Sequence, residues 1–515
     1  MSDETWQVAR LIPTSGINGQ DEAERRATSA VLSVLSIVKE FGNAMVKPLG
    51  APSSVLETFI EVPFKIEDRR VIPDGLIRAK RGSKTWTALV EVKTGTAQLQ
   101  RQQLEDYLDV ARENGFDAVL TISNEIAHAP GVHPTTVDKR RLKKVALHHV
   151  SWSEVLTMAV QQRVHKGVSD PEQAWILGEL IRYLEHPKSG ALDFSDMGES
   201  WTSVRDSVMH GTLRSSDKGL LDVVIRWEQL LQFAALRMGR ELGADVQVVL
   251  SRKELADPAL RLASQTAEAV ERSRLTGSLR IPQSVSDIAI TADLRGGRLH
   301  VSVDLDAPTE GRQGTRVAWL LRQLKDSPEQ LRLDSWSMNS RTSMSELLST
   351  VRLNPEKLIE DQKKNLRSFR ITATSTLGPK RGSGRGGFID SVLSSFAGFY
   401  ETVVQDLRPW VPKAPQLPSG GRSAAEAAGI DTTPPASDLE DTTEWTEAED
   451  PADDTFELSD DADISTSHWE TESTTDQEDN SSYASDAPGE DASSNGSLMT
   501  WDSLSERDIH AAEGE

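Results

Sequence analysis

The stretch from Val71 to Lys93 constrains the fold of this chain more than any other, because it has the pattern of a β-hairpin. β-Branched and apolar residues are frequent in Val71–Ala79 and in Thr85–Lys93. The segment Lys80–Lys84 between them is polar and contains a glycine, which is typical of a turn. The chain is therefore expected to form two antiparallel strands here.

Pairing that is symmetric about Gly82 would bring acidic side chains together. Asp74 would lie opposite Val90 and next to Glu91, although the two carboxylates are 17 positions apart in the sequence. Glu91 and Lys93 are two residues apart and share one face of the strand. Two carboxylates and an ammonium group therefore converge in the predicted hairpin.

Neighbouring carboxylates repel each other unless a cation lies between them, and a hard, oxygen-seeking ion such as Mg²⁺ is the usual solution. A nearby lysine can orient or deprotonate a metal-bound water. This arrangement suits in-line attack on a phosphodiester, where the metal offsets the developing negative charge. The alternative is an exposed amphipathic hairpin that carries ordinary surface charges.

Three sequence elements follow one another in a familiar order. Pro73-Asp74 precedes Glu91-Val92-Lys93, and Gln103 and Tyr107 follow in the next predicted helix with QxxxY spacing. This pattern resembles the PD-(D/E)XK nuclease superfamily, in particular its RecB-like members. The resemblance covers roughly residues 20–153.

The resemblance implies an α/β, restriction-endonuclease-like core, in which helices flank a mixed sheet, and a Mg²⁺ or Mn²⁺ cofactor. The catalytic residues that it implies are Asp74, Glu91, Lys93, Gln103, Tyr107 and Glu24. Among these, Asp74 and Glu91 bind the metal together with Val92. Lys93 assists the attacking water, and Gln103 and Tyr107 support the site.

Glu24 lies in a helix predicted from Gln20 to Phe41. At 100° per residue it extends the apolar stripe of Val31, Leu35 and Val38. One interpretation is a first-turn acidic residue that interacts favourably with the helix dipole. The other is a carboxylate that the first helix contributes to the site, as superfamily members often do.

The remaining core elements alternate between strands and helices. We predict a strand at Thr58–Phe64, a helix at Ala97–Asn114 with Gly115 as its C-cap, and a buried parallel strand at Asp117–Ser123. A further strand is expected at Val145–Trp152. This succession predicts an α/β core.

A basic cluster precedes the last of these strands. Its cations are Lys139, Arg140, Arg141, Lys143 and Lys144. The cluster is a candidate nucleic-acid-binding surface that contacts phosphates, and a solvated loop is the alternative. Zinc is not expected, because His148 and His149 alternate across a strand and His128 and His133 lack a third ligand at the usual spacing.

The later part of the chain is divided by changes of pattern. We predict a nuclease-like domain at 1–190, a helical connector at 191–243, an α+β accessory domain at 244–410 and a disordered acidic tail at 411–515. The glycine-rich segment 380–387 lacks the spacing of a P-loop. The accessory domain shows no catalytic constellation of its own.

Charge is distributed very unevenly over the 515 residues. The net charge of −23 arises in the last 93 residues, which hold 28 Asp and Glu against one Lys or Arg, whereas the remainder has 56 basic and 52 acidic residues. A mildly basic body is compatible with nucleic-acid binding, and the tail could compete for its binding surface or engage a protein partner. The absence of cysteine excludes disulfides, Cys-ligated zinc and thiol nucleophiles.

Two functions are compatible with these features. The first is a metal-dependent nuclease that hydrolyses nucleic acid, DNA more readily than RNA, in defence, repair or stress response. The second is a noncatalytic, stress-associated interaction scaffold that keeps the nuclease-like fold, with its partner bound through the tail or the α+β module. No long apolar run or signal segment is present, so we expect a soluble, cytoplasmic protein without membrane contact.

Overall fold

The computed structural model describes residue 12 and residues 19–66, 69–412 and 414. Most of the predicted tail and lead-in therefore lies outside the described residues. The described part is a mixed α/β structure with two large sheets flanked by helices.

The first half of the described chain contains seven strands. They are β1 (Leu56–Ile60), β2 (Phe64–Ile66), β3 (Arg69–Val71), β4 (Gly75–Arg81), β5 (Lys84–Val92), β6 (Ala118–Ser123) and β7 (Ala146–Ser151). Five of them form the first sheet in the order β1-β4-β5-β6-β7, with β1, β4 and β5 antiparallel and β5, β6 and β7 parallel. β2 and β3 form a separate two-stranded ribbon. The predicted α/β core with its buried parallel strand at β6 is confirmed.

The predicted hairpin is present, but its predicted register is wrong by one residue. Gly75, not Asp74, pairs with Val90, and the strands close at Arg81 and Lys84. The turn is a two-residue Gly82-Ser83 turn, and Gly82 has a φ of +61°, which favours glycine. Asp74 therefore lies at the entrance to β4.

The predicted first helix is also interrupted. It divides into α1 (Gln20–Ile37) and α2 (Lys39–Val46), because Val38 adopts an extended conformation. The turn brings Gly42 against the carbonyl group of Leu35, where an added Cβ atom would lie only 2.2 Å from the oxygen. Glycine at this position therefore permits the close approach of the two helices.

Helices cover both faces of the first sheet. The remaining helices of this region are α3 (Arg101–Glu113), α4 (Trp152–Val160) and α5 (Pro171–Glu185). Residues of α1, α2, α4 and α5 form one apolar core with Val90 and Val92, and α3 and the ribbon form another with Leu76 and Leu89. Among the described residues no single helix meets the criteria for a membrane span, and only the pair Asp21–Ile37 and Lys39–Leu49, bent by 109°, meets them jointly.

The second half of the described chain forms a seven-stranded antiparallel sheet. Its strands are β8 (Gln247–Val248), β9 (Arg274–Arg280), β10 (Ile288–Asp293), β11 (Arg298–Asp306), β12 (Arg332–Ser337), β13 (Ser343–Leu347) and β14 (Leu366–Thr376). They are ordered β13-β12-β14-β11-β10-β9-β8. Strands β9, β10 and β11 alternate buried and partly exposed residues, as their sequence pattern predicts.

Seven helices accompany the second sheet. They are α6 (Trp201–His210), α7 (Lys218–Leu242), α8 (Arg252–Ala256), α9 (Pro258–Arg272), α10 (Gln313–Gln323), α11 (Leu348–Leu353) and α12 (Phe388–Thr402). Helix α7, which lies in the predicted connector, buries Trp227 against this sheet, and the indole Nε1 donates to the carbonyl oxygen of Thr276 at 2.9 Å. The predicted domain boundaries remain predictions.

Candidate functional site

The acidic residues of the hairpin meet where β4 begins and β5 ends. Asp74 precedes Gly75, and its Oδ2 atom accepts a hydrogen bond from the main-chain amide of Val92 at 2.8 Å. Val90 and Val92 point into the core beneath α1, so Glu91 between them faces the opposite side of the sheet. The shifted register therefore still brings Asp74 beside Glu91.

Glu91 is a completely buried carboxylate. Its Oε1 atom lies 2.7 Å from Nζ of Lys93, and Oε2 forms no hydrogen bond of standard geometry with any described residue. Burial raises the pKa of Glu91 to about 7, and the carboxylate of Asp74 adds to this rise while Lys93 partly opposes it. Burial also raises the pKa of Asp74. Both carboxylates are thus held in surroundings that disfavour their charge.

Lys93 supplies the positive charge of this cluster. Its Nζ atom lies 3.4 Å from Oε2 of Glu24, whose Oε1 accepts a hydrogen bond from the amide of Thr94 at 3.5 Å. Burial alone would lower the pKa of Lys93, but the surrounding carboxylates, led by Glu91, outweigh burial and raise it. One ammonium group therefore faces three carboxylates at this point.

The two residues predicted to support the site lie on α3. Nε2 of Gln103 donates to the hydroxyl oxygen of Tyr107 at 2.9 Å, and that hydroxyl donates to the carbonyl of Ile72 at 3.4 Å. Burial, followed by the negative charge of Glu91, raises the pKa of Tyr107. Tyr107 therefore stays neutral and links α3 to the segment that carries Asp74.

The main chain of Lys93 is fixed from two sides. Its amide donates to the carbonyl of Ile122 in β6 at 2.8 Å, and Nε1 of the buried Trp152 donates to its carbonyl at 2.9 Å. Trp152 was not predicted as a member of the site. No sequence signal marks this role, because Trp152 lies 59 positions after Lys93 and belongs to none of the motifs of the resemblance.

The predicted basic cluster does not join this site. Arg141 forms an ion pair with Asp109, and its Nη1 donates to the carbonyl of Glu105 at 2.9 Å. At 100° per residue, Glu105 and Asp109 lie on the face of α3 opposite Gln103 and Tyr107. The other four cations of the cluster are exposed. Arg141 is therefore bound to the outer face of α3, away from the carboxylates.

The histidines of this region form a separate polar cluster. Oγ1 of Thr121 lies 2.9 Å from Nε2 of His133 and 2.8 Å from Nδ1 of His149. Nε2 of His149 lies 2.7 Å from the carbonyl oxygen of Glu125, and burial lowers the pKa of His149 to about 4. His149 is therefore neutral at physiological pH and has a structural role.

The residues around Glu91 can be compared with the ligand sets that metal ions require. Among the described residues, no group of three or more His, Cys, Asp or Glu side chains has the arrangement of a metal site. Two neighbouring carboxylates with raised pKa values, one of them fully buried, nevertheless suit a hard cation that keeps several water ligands. The donor set thus fits Mg²⁺ or Mn²⁺ and no soft metal.

Neither the protein-family models nor the curated proteins give a match to the sequence of this chain. The arrangement of the residues around Lys93 is therefore the basis for assigning a function.

Proposed function

We propose that this protein is a metal-dependent nuclease with a restriction-endonuclease-like core, and that it hydrolyses phosphodiester bonds of nucleic acid, with DNA preferred over RNA. The observation that carries the proposal is that Glu91 and Glu24 both contact the Lys93 ammonium group at the end of β5, while Asp74, held by the Val92 amide, lies close enough to raise the pKa of Lys93. An excess of buried negative charge is unfavourable unless a cation is bound there.

Asp74, Glu91 and the main chain of Val92 would hold the divalent cation, which when bound polarises the phosphate and lowers the pKa of a water. Lys93 is protonated in the site, so it acts by orienting the attacking water and attracting the phosphate. Glu24 contacts the Lys93 ammonium and the Thr94 amide, and thereby orients Lys93. Tyr107 and Gln103 hold the loop before Asp74 in place.

A noncatalytic scaffold is the second candidate, and one observation favours it. Nζ of Lys93 already lies 2.7 Å from Glu91, so part of the negative charge is neutralised without a metal. In a scaffold this ion pair would be permanent and structural. The two candidates therefore differ in whether the site responds to a divalent cation.

The decisive experiment measures degradation of plasmid and single-stranded DNA, with RNA as a third substrate, in Mg²⁺ or Mn²⁺. We expect Asp74→Ala and Glu91→Gln to reduce cleavage by about 1,000-fold, since several kcal/mol of transition-state charge stabilisation are lost. Lys93→Ala should reduce the rate by about 100-fold while metal affinity is kept. The matched control is Glu228→Gln, which removes another buried carboxylate with a pKa raised to about 7 and should leave cleavage unchanged.

A binding measurement separates the two candidates independently of activity. At a Mg²⁺ concentration about ten times its Kd, the cation should stabilise the wild-type fold by about 1.4 kcal/mol in thermal unfolding, and the Glu91→Gln variant much less. The absence of both cleavage and stabilisation by Mg²⁺ or Mn²⁺ would exclude the nuclease and favour the scaffold.

A further inference from the structure

An exposed apolar surface lies directly beside the candidate site. Phe59 and Ile60 at the end of β1 and Ile72 after β3 are exposed, and Phe59 retains 43% of its accessible surface. Ile60 pairs with Gly75, and the amide of the next residue, Glu61, donates to the carbonyl of Asp74 at 3.1 Å. Exposed apolar side chains of this size on an edge strand favour association unless they serve a purpose.

Phe59 shares a face of the sheet with the catalytic carboxylates. It pairs with Leu76, which lies in the apolar core beneath α3, and Asp74 is two residues before Leu76 on the same side. Phe59 and Asp74 thus occupy diagonal positions on neighbouring chain segments, about 7–8 Å apart between Cα atoms in a regular sheet. The ring therefore lies next to the place where a phosphate would bind.

The ring contacts a cation that is also paired with a carboxylate. The guanidinium carbon of Arg78 lies 5.7 Å from the Phe59 ring centroid, which is a cation–π contact. Nη1 of Arg78 also lies 3.6 Å from Oε2 of Glu57, so this cation is shared between the ring and a carboxylate. On the nearby ribbon, Lys65 lies directly opposite Arg70, and both side chains are exposed without an ion pair to any described residue. Like charges directly opposite each other are unfavourable, and an anionic ligand would relieve this repulsion.

We propose that Phe59 stacks against an unpaired base of the nucleic acid, so that the substrate of this site is single-stranded or locally unpaired. An exposed aromatic ring flanked by cations is the combination that binds single strands, because a ring can stack on any base while the cations attract the backbone. In a duplex the base faces are covered by their neighbours. The proposal rests on the proposed nuclease function and specifies its substrate.

Binding should be measured with the full chain carrying Glu91→Gln, in chelator, by fluorescence anisotropy of a labelled single strand and of its duplex. We expect Phe59→Ala and Phe59→Leu to weaken single-strand binding by about 5- to 100-fold and to change duplex binding by less than about twofold. Phe59→Trp should bind the single strand as well as the parent does. Trp175, on α5, is the other exposed aromatic residue among the described residues, at 52%, so Trp175→Ala is the matched control and should have no effect.

Any result other than the expected one would contradict the inference. Equal losses for both substrates, or none, would show that Phe59 does not stack on bases. Full binding by Phe59→Leu would show that the contact is apolar and does not require an aromatic ring. If the wild type cleaves DNA but the Phe59 variants bind single strands normally, only this inference fails. If the wild type neither binds nor cleaves nucleic acid, the proposed function fails with it.

Discussion

Both halves of the molecule bury charged side chains, but they neutralise them differently. In the second half, Glu228 is paired with Nε of Arg261 at 2.9 Å, and Arg261 also contacts Glu254. Burial raises the pKa of Glu228 to about 7. Burial would also raise the pKa of Glu254, but hydrogen bonds from Ser251 and the charge of Arg261 outweigh it and lower that pKa. Only one of these two carboxylates is therefore held in unfavourable surroundings.

In the first half, two neighbouring carboxylates both have raised pKa values. Burial raises the pKa of Asp74 and of Glu91, the charge of Asp74 adds to the rise at Glu91, and Lys93 offsets these effects only in part. Elsewhere in the second half, buried Arg316 donates to the carbonyls of Gly311, Thr309 and Leu366. The fold can thus satisfy buried charges, and the excess of carboxylates around Lys93 supports the proposal that this site accepts a further cation.

The largest expected change in the free energy of unfolding concerns the ion pair between Glu228 and Arg261. Arg261→Ala leaves Glu228 buried without its cation, and we expect the free energy of unfolding to fall by about 3–5 kcal/mol near pH 8. Because the charge of Arg261 lowers the pKa of Glu228, the pKa in the variant should lie above the wild-type value of about 7. The loss should therefore shrink as the pH falls from alkaline values toward 7, where Glu228 of the variant takes up a proton. Urea unfolding at several pH values measures this.

The control for that experiment is Arg237→Ala, which removes an exposed ion pair with Glu241. We expect a change below about 1 kcal/mol. If both variants lost the same stability, the Glu228–Arg261 pair would be no more important than a surface pair.

Unlike Arg261→Ala, Glu91→Gln should raise the free energy of unfolding. The folded pKa of Glu91, about 7, lies above its ordinary value of 4.5, so the folded state binds the proton more tightly and the wild type loses stability as the pH rises from 4.5 to 7. The amide carries no charge at any pH. In chelator, the variant should match the wild type near pH 4.5 and exceed its unfolding free energy by on the order of 3 kcal/mol above pH 7.

Glu254→Gln is the comparison for Glu91→Gln, because the pKa of Glu254 is shifted in the opposite direction. The folded pKa of Glu254 is lowered, so its charge stabilises the fold above its unfolded pKa, and that contribution is lost as the pH falls through the folded pKa. The amide should therefore give no gain in stability at alkaline pH. A pH-independent difference for Glu91→Gln would mean that the carboxylate is not destabilised in the folded state.

The smallest effect separates two roles within the basic cluster. Arg141→Ala should lower the free energy of unfolding by about 1 kcal/mol, because Arg141 binds Asp109 on the outer face of α3. Changing Lys139, Arg140, Lys143 and Lys144 to Gln should leave stability unchanged. If these four side chains neutralise phosphates of bound DNA, the slope of log affinity against log salt should fall by about 0.9 for each phosphate that the variant no longer neutralises. An unchanged slope would favour the alternative that these four side chains belong to a solvated loop.

The sequence predicts the helices and strands better than the turns and breaks that separate them. Alternating residues identify β10, a segment rich in β-branched and apolar residues identifies β5, and a buried apolar run identifies β6. Each of these patterns is set by the local faces of the sheet. The register of the hairpin was missed because alternation does not determine whether the turn at Gly82 has two or more residues. The break at Val38 was missed because no glycine or proline marks it, and it depends on the close approach of Gly42 to Leu35.

The candidate site was predictable only where residues are close in sequence or fall on one helix face. The spacing of Gln103 and Tyr107 places them together, and the stripe of α1 points Glu24 inward, where the structure places it against Lys93. Trp152 and the second-sheet strand β14 depend on partners far away in the chain, and β14 pairs with β11 across more than about 60 residues. Local patterns contain no information about such pairings.

The anchoring of Lys93 has a consequence during synthesis. The hairpin is complete once residue 93 has been made, but Ile122 and Trp152, which hold its main chain, are added later. At about 5–20 residues per second, this interval lasts roughly 3–12 seconds. A ribosome-bound or prematurely terminated chain therefore carries the acidic residues without an assembled site. Under the proposed function, a chain that ends before Trp152 should therefore not cleave nucleic acid.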